Sequence, residues 1–132
     1  IVRPQHAVRE SATTLSVHII DDDDAVRDST RALLESYGYD VQEHPSAEAY
    51  LGYSEAKADL LLVDHHMPGM TGLELLEHLR AQGDRTPALV LTGRTDPTIA
   101  QRAAALGLKL LHKPLGEDQL LNWIEQTRQA GE

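Results

Sequence analysis

Val17-His18-Ile19-Ile20-Asp21-Asp22-Asp23-Asp24 is the stretch on which the reading of this chain turns. A short apolar run ends in four consecutive carboxylates. The run reads as a strand, and the acids bring negative charge to one edge of a sheet. Such charge is costly unless a cation or a helix N-terminus offsets it. Three further apolar runs end in residues that carry chemistry: Leu60–Val63 in Asp64, Ala88–Leu91 in Thr92, and Leu108–Leu111 in His112-Lys113.

Helical patterns separate these runs. Ala25–Tyr37 places Val26, Leu33, Leu34 and Tyr37 on one side, and Gly38 stops it. Asp40–Glu43 is a weaker, half-polar strand. Ser46 is suited to cap a helix over Ala47–Gly52. Thr71-Gly72-Leu73-Glu74 is a capping box, in which hydroxyl and carboxylate satisfy each other's backbone amides. The helix it opens turns Leu73, Leu76 and Leu79 inward and ends near Gly83. Asp96-Pro97 starts the next helix, with Asp at the cap and Pro in the first turn. That helix presents Ile99, Ala100, Ala103 and Ala104 and ends at Gly107. Glu117–Arg128 forms the last, with Leu120, Leu121 and Ile124 facing in.

Five strands alternating with five helices predict a doubly wound parallel sheet, an α/β fold with helices on both faces. In such sheets ligands bind beyond the carboxyl ends of the strands, where strand order reverses. Every residue singled out above stands at a carboxyl end.

Composition narrows the function. The 132 residues suit one domain. A hydrophobic content of 41% supports a packed core. The formal net charge of -9 argues against nucleic-acid binding by this domain, because a phosphate backbone demands a basic face. There are no cysteines, which excludes disulfides, thiolate catalysis and zinc–thiolate sites. No apolar stretch approaches the roughly 18 residues of a membrane span, and the start has no signal-peptide core. A cytoplasmic location is the expectation. Ile1–Ser16 is polar and without period and reads as a linker or tail. A first residue of Ile rather than Met suggests a chain cut from a longer one, or processed.

The strand tips share a chemistry. Asp21, Asp22 and Asp64 bring three negative charges to one cleft, and Lys113 returns one positive charge. The remainder calls for a hard divalent cation with oxygen ligands, and Mg²⁺ fits. Asp64 is then free to attack phosphorus and form an acyl phosphate. Catalysis of that transfer is mainly positioning and charge neutralisation. The Thr92 hydroxyl can donate one hydrogen bond to a phosphoryl oxygen.

The set Ile19-Ile20-Asp21-Asp22-Asp23, Asp64-His65-His66-Met67-Pro68-Gly69-Met70-Thr71-Gly72, Leu91-Thr92-Gly93 and Lys113-Pro114 resembles the receiver domain of two-component response regulators. The resemblance covers residues 17–129. It implies a flavodoxin-like, CheY-like three-layer sandwich with strand order 2-1-3-4-5. It also implies roles. Asp64 is the phosphoacceptor. Asp22 ligates Mg²⁺ directly, Asp21 mostly through water, and the backbone carbonyl of His66 adds a further ligand. Thr92 is the switch hydroxyl, and Lys113 contacts the phosphoryl group, held by a cis bond to Pro114. The donor is a phosphohistidine on a sensor histidine kinase or a histidine phosphotransfer protein. A homodimer through the fourth helix, fifth strand and fifth helix is a further expectation.

One position departs from the family pattern. Leu110 stands three residues before Lys113, where the family often has Tyr or Phe, so an aromatic flip cannot report the state of Thr92. His66 and Arg94 follow Asp64 and Thr92 by two residues each and are expected to shield the acyl phosphate from water.

Plainer roles suit other polar residues. Asp23 and Asp24 fit a helix N-terminus, where acids favour the dipole. His65-His66 is not read as a transition-metal site, because adjacent side chains in a loop point apart and no cysteine assists. His112 reads as packing or surface. Trp123 suits either a partner face or the edge of the core. Two other functions compete: a phosphorylation-independent, receiver-like protein-binding module, and an aspartate-nucleophile phosphatase. Asp21-x-Asp23 meets the phosphatase spacing weakly, but there is no room for a cap domain. The parent is either a hybrid sensor kinase or a regulator whose output domain lies outside this segment.

Overall fold

The computed structural model describes residues 14–53, 57–94 and 96–130. Five parallel strands form one sheet in the order β2-β1-β3-β4-β5. The strands are β1 (Ser16–Ile20), β2 (Asp40–His44), β3 (Leu60–Asp64), β4 (Ala88–Thr92) and β5 (Lys109–His112). The helices are α1 (Asp24–Ser36), α2 (Ala47–Leu51), α3 (Gly72–Ala81), α4 (Pro97–Ala105) and α5 (Glu117–Ala130). The expected tail lies outside the described residues over 1–13, while Ser16 already belongs to β1.

β3 and β4 are buried along their whole length, as strands covered on both faces must be. Their side chains alternate between two cores. Leu61, Val63 and Val90 join α3 and α4 in one cluster; Leu60, Leu62, Leu89 and Leu91 join α1 and α5 in the other. Each fully buried Leu or Val stabilises the fold by about 1.5–3 kcal/mol. The central strands are therefore fixed from both sides, and their tips are rigid mounts.

Local chemistry sets the helix starts. Thr71 accepts from the Glu74 amide at 3.2 Å, and the Glu74 carboxylate accepts from the Thr71 amide at 2.9 Å, so the capping box forms as expected. Asp96 caps α4 through the Thr98 amide, with Pro97 in the first turn. Ser46 caps α2 through the Ala49 amide. Asp23, not Asp24, caps α1, accepting from the Ala25 and Val26 amides.

The inward faces differ from expectation in three places. Tyr37 is 54% exposed rather than packed beside Leu34, and its hydroxyl donates to Glu117 at 3.1 Å. α1 stops at Ser36 and Gly38 takes φ +91°, so helical periodicity no longer governs Tyr37; Tyr39 packs on the core instead. On α4, Ile99 and Ala103 are buried while Ala100 and Ala104 are exposed. Ile99 and Ala103 form the i, i+4 row, and small alanines carry no strong signal of facing. On α3, Leu75 is fully buried along with the three expected leucines.

Candidate functional site

Pairing register gathers the strand tips. Ile20 pairs with Val63, Asp64 with Leu91 and Thr92 with His112. The ladder then runs on into the loops. The Asp21 amide donates to the His44 carbonyl at 3.1 Å, the His65 amide to Leu91 at 2.8 Å, and the Lys113 amide to Thr92 at 2.8 Å. Each chemically useful residue thus sits on backbone held by its neighbour strand.

The carboxylate oxygens of Asp21, Asp22 and Asp64 lie within 4.8 Å of one another. Asp21 and Asp64 are almost fully buried, and Asp22 is exposed. The Lys113 ammonium bridges the buried pair, at 3.2 Å from Asp21 Oδ2 and 3.1 Å from Asp64 Oδ1. The Lys113–Pro114 peptide bond is cis, as the resemblance implied. A cleft of about 320 Å³ opens over these groups, bordered also by His66, Gly93 and Arg94.

The electrostatics follow from that packing. Burial pushes the Asp64 carboxyl above its usual range, Asp21 adds to this, and Lys113 opposes it. Burial pushes Lys113 down, but its bonds to Asp64 and Asp21 outweigh this and hold it above the usual lysine range. Three clustered carboxylates, two of them paired with a single ammonium, leave negative charge uncompensated. All the donors are oxygens, one carboxylate faces solvent, and the oxygens converge. This donor set suits a hard cation that keeps several waters, as Mg²⁺ does.

Thr92 is fully buried at the tip of β4. His66 Nε2 lies 2.7 Å from its Oγ1, and the Arg94 amide donates to the same oxygen at 3.2 Å. The sequence reading assigned His66 only a backbone ligand and a shielding role. It missed the reach of this imidazole from the β3 loop to the β4 tip. It also expected the two histidines to point apart. Their rings instead pack edge to face, with centroids 4.9 Å apart, because His65 turns under α3, where its Nδ1 accepts from the Leu73 amide at 3.4 Å. Among the described residues no metal-ligand cluster includes either histidine.

Gly72 is a second residue the sequence reading passed over. A Cβ there would stand 2.5 Å from the Asp64 carbonyl oxygen and 2.8 Å from Val63 Cγ1. The first turn of α3 therefore lies directly on the backbone of Asp64. A glycine three residues after a Pro-Gly turn and just inside a capping box was the available clue. His112 is exposed, and Trp123 is half-buried against the core beside Leu111 and Leu121. Leu110 is half-buried and packs against the α3–α4 side of the sheet.

The family profile described as response regulator receiver domain matches residues 17–125. The chain is 42% identical over 110 residues to the transcriptional regulatory protein FixJ of Azorhizobium caulinodans, covering 82% of this chain and 52% of that protein. It is 37% identical over 111 residues to the response regulator MprA of Mycobacterium avium, covering 81% of this chain and 48% of that one. It spans about half the length of these curated relatives. Among solved structures, chemotaxis protein CheY4 of Vibrio cholerae superposes with a TM-score of 0.78 at 30% identity, covering 86% of this chain and 98% of that one.

Proposed function

The chain belongs to the response regulator receiver domain family, and from that premise we propose that Asp64 is its phosphoacceptor, served by Asp21, Asp22, Thr92 and Lys113. The observation that carries the reading is the convergence of three carboxylates under one open cleft, two of them, Asp21 and Asp64, bridged by the ammonium of Lys113.

The reaction runs as follows. An Asp64 oxygen attacks the phosphorus of a phosphohistidine on a sensor kinase or phosphotransfer protein. The P–O bond forms as the P–N bond breaks, and the leaving imidazole takes up a proton. Lys113, already within 3.1 Å of Asp64, neutralises charge on the transferring group. Thr92 turns its hydroxyl toward a phosphoryl oxygen. Asp21, Asp22, Asp64 and the His66 carbonyl hold Mg²⁺, which supplies further charge neutralisation. His66 and Arg94, at the rim of the cleft, slow the approach of water to the acyl phosphate. The domain is an acceptor that assists its own modification, not an enzyme turning over a separate substrate.

Phosphorylation then moves Thr92 and the loop up to Asp96, reshaping the α4–β5–α5 face, where a homodimer forms. Taking such a switch from 1:99 to 99:1 needs about 5.5 kcal/mol of differential interaction. Charge-assisted hydrogen bonds supply part of it. With Leu110 in the usual aromatic position, the output travels by packing rather than by a ring flip. Among the described residues no helix is long and apolar enough to cross a membrane, and a cytoplasmic location is part of the proposal.

The test is incubation with Mg²⁺ and acetyl phosphate, followed by mass spectrometry. One added phosphoryl group on Asp64, lost in Asp64→Asn and on chelation, is the expected result. An unmodified chain under these conditions overturns the reading in favour of a phosphorylation-independent binding module.

A further inference from the structure

Asp21 is gripped at every polar atom. Its amide donates to His44 O at 3.1 Å. Its Oδ1 accepts from the Asp23 amide at 2.9 Å, and its Oδ2 meets Lys113 at 3.2 Å. The remaining atom, the backbone carbonyl, accepts from Arg27 Nη1 at 2.5 Å. β1 ends at Ile20 and α1 begins at Asp24, so no strand or helix ladder serves this carbonyl. Buried carbonyls need a partner, and here a side chain from the first turn of α1 provides it.

Arg27 is itself anchored. Its side chain is only 12% exposed, unusual for arginine. Its Nε donates to Glu43 Oε1 on β2 at 3.2 Å, and its Nη2 pairs with Asp24. Glu43 is also held by Arg31 at 2.7 Å. One planar guanidinium therefore ties β2, the start of α1 and the loop that carries Asp21 and Asp22. A flexible ammonium cannot hold three acceptors in one fixed fork.

We propose that Arg27, anchored by Glu43, is the positioning residue that fixes the Asp21–Asp22 peptide and thereby sets the affinity of the acidic cluster for a divalent cation. This rests on the cation reading above. Two effects of Arg27 have opposite signs. As a positive charge near three carboxylates it weakens cation binding. As a clamp on the loop it strengthens binding. The clamp dominates, because the charge of Arg27 is spent on Glu43 and Asp24 while its bond to Asp21 is direct.

The experiment is calorimetric titration of Mg²⁺ into the full chain and its variants, with folding checked by circular dichroism. Arg27→Ala weakens Mg²⁺ binding by about tenfold or more, the range seen when outer-shell partners of metal ligands are lost. Arg27→Lys keeps the charge, loses the fork, and is also weakened. Glu43→Gln shows a smaller loss in the same direction. Leu33→Ala, which loosens the same helix at a half-buried site without touching the loop, binds Mg²⁺ as the parent does. Unchanged or tighter binding in folded Arg27→Ala or Arg27→Lys overturns the clamp. An equal loss in Leu33→Ala also overturns it, by reducing the effect to general destabilisation. Failure of the parent chain to bind Mg²⁺ sinks the cation reading and the clamp with it, and is distinguishable because it precedes any substitution.

Discussion

His18 and Asp21 stand three residues apart, one within β1 and one just past its tip, and both are buried. They end in opposite environments. His18 packs with buried His44 and with the partly exposed Tyr50 and Tyr53. Its Nδ1 meets His44 Nε2 at 2.9 Å, the two rings stack, and both tyrosines pack edge-on. Its Nε2 has no hydrogen-bond partner among the described residues. Asp21 instead borders a cleft, with an ammonium beside it and two more carboxylates close by. One region buries titratable groups by keeping them neutral. The other buries acids by giving them a counter-charge and an opening to solvent. The second arrangement has the converging oxygens and the open cleft that the proposed cation and phosphoryl chemistry needs.

The harshest way to break the comparison is Asp64→Asn. It removes phosphoryl acceptance altogether, read by mass spectrometry after acetyl phosphate. It also raises the melting temperature at neutral pH. The folded-state pKa of Asp64 is raised, so its ionised form costs stability as pH rises through that pKa, and an amide escapes that cost. A lowered melting temperature shows that the bond to Lys113 outweighs the burial penalty.

Acid tests the other region. Burial, with help from His18, lowers His44 from 6.5 to about 4, and burial lowers His18 too. The unfolded chain therefore binds more protons between these values. Stability from this cluster is complete above about pH 6.5 and is lost as pH falls through about 4. At about 1.4 kcal/mol per pH unit this reaches about 3 kcal/mol for His44. Denaturant melts from pH 7 to pH 4 measure it, and His44→Gln flattens the profile.

Mg²⁺ sharpens the contrast from the cleft side. At 100 times its dissociation constant it stabilises the parent by about 2.7 kcal/mol. Asp22→Asn loses most of this, while His44→Gln keeps it; thermal melts with and without the ion decide. Gly72→Ala is the mildest probe. Its Cβ meets the Asp64 backbone and the short, fully buried Val63 side chain, neither of which yields easily, and overpacking of this kind costs about 1–3 kcal/mol. The same shift displaces Asp64, so phosphorylation slows as well. A variant that melts lower but is modified at the parent rate shows that α3 yields and the acid does not.

The sequence disclosed what local chemistry decides. Leu60–Val63 and Ala88–Leu91 were legible because strands covered on both faces are apolar throughout. Thr71 with Glu74 and Asp96 with Pro97 were legible because caps are built within four residues. The convergence of Asp21, Asp64 and Lys113 followed from one rule, that these residues end parallel strands. What stayed hidden depends on register and rotamer. The His18–His44 pair exists because β1 and β2 align Ile20 with His44, which puts His18 one step away on the same face. The His66–Thr92 contact and the Arg27–Asp21 bond join residues whose proximity no local spacing announces. Tyr37 was misread because a helical pattern was extended one residue past its end.

Thr92 carries a consequence of its own. A hydroxyl owns a single hydrogen. At Thr92 the Arg94 carbonyl faces it at 3.2 Å, and His66 Nε2, in the tautomer that accepts, faces it at 2.7 Å. In the proposed reaction a phosphoryl oxygen is a third claimant. One hydrogen serves one of them well at a time, so in the proposed reaction a phosphoryl oxygen would have to win the Thr92 hydroxyl from His66 and Arg94 outright rather than share it.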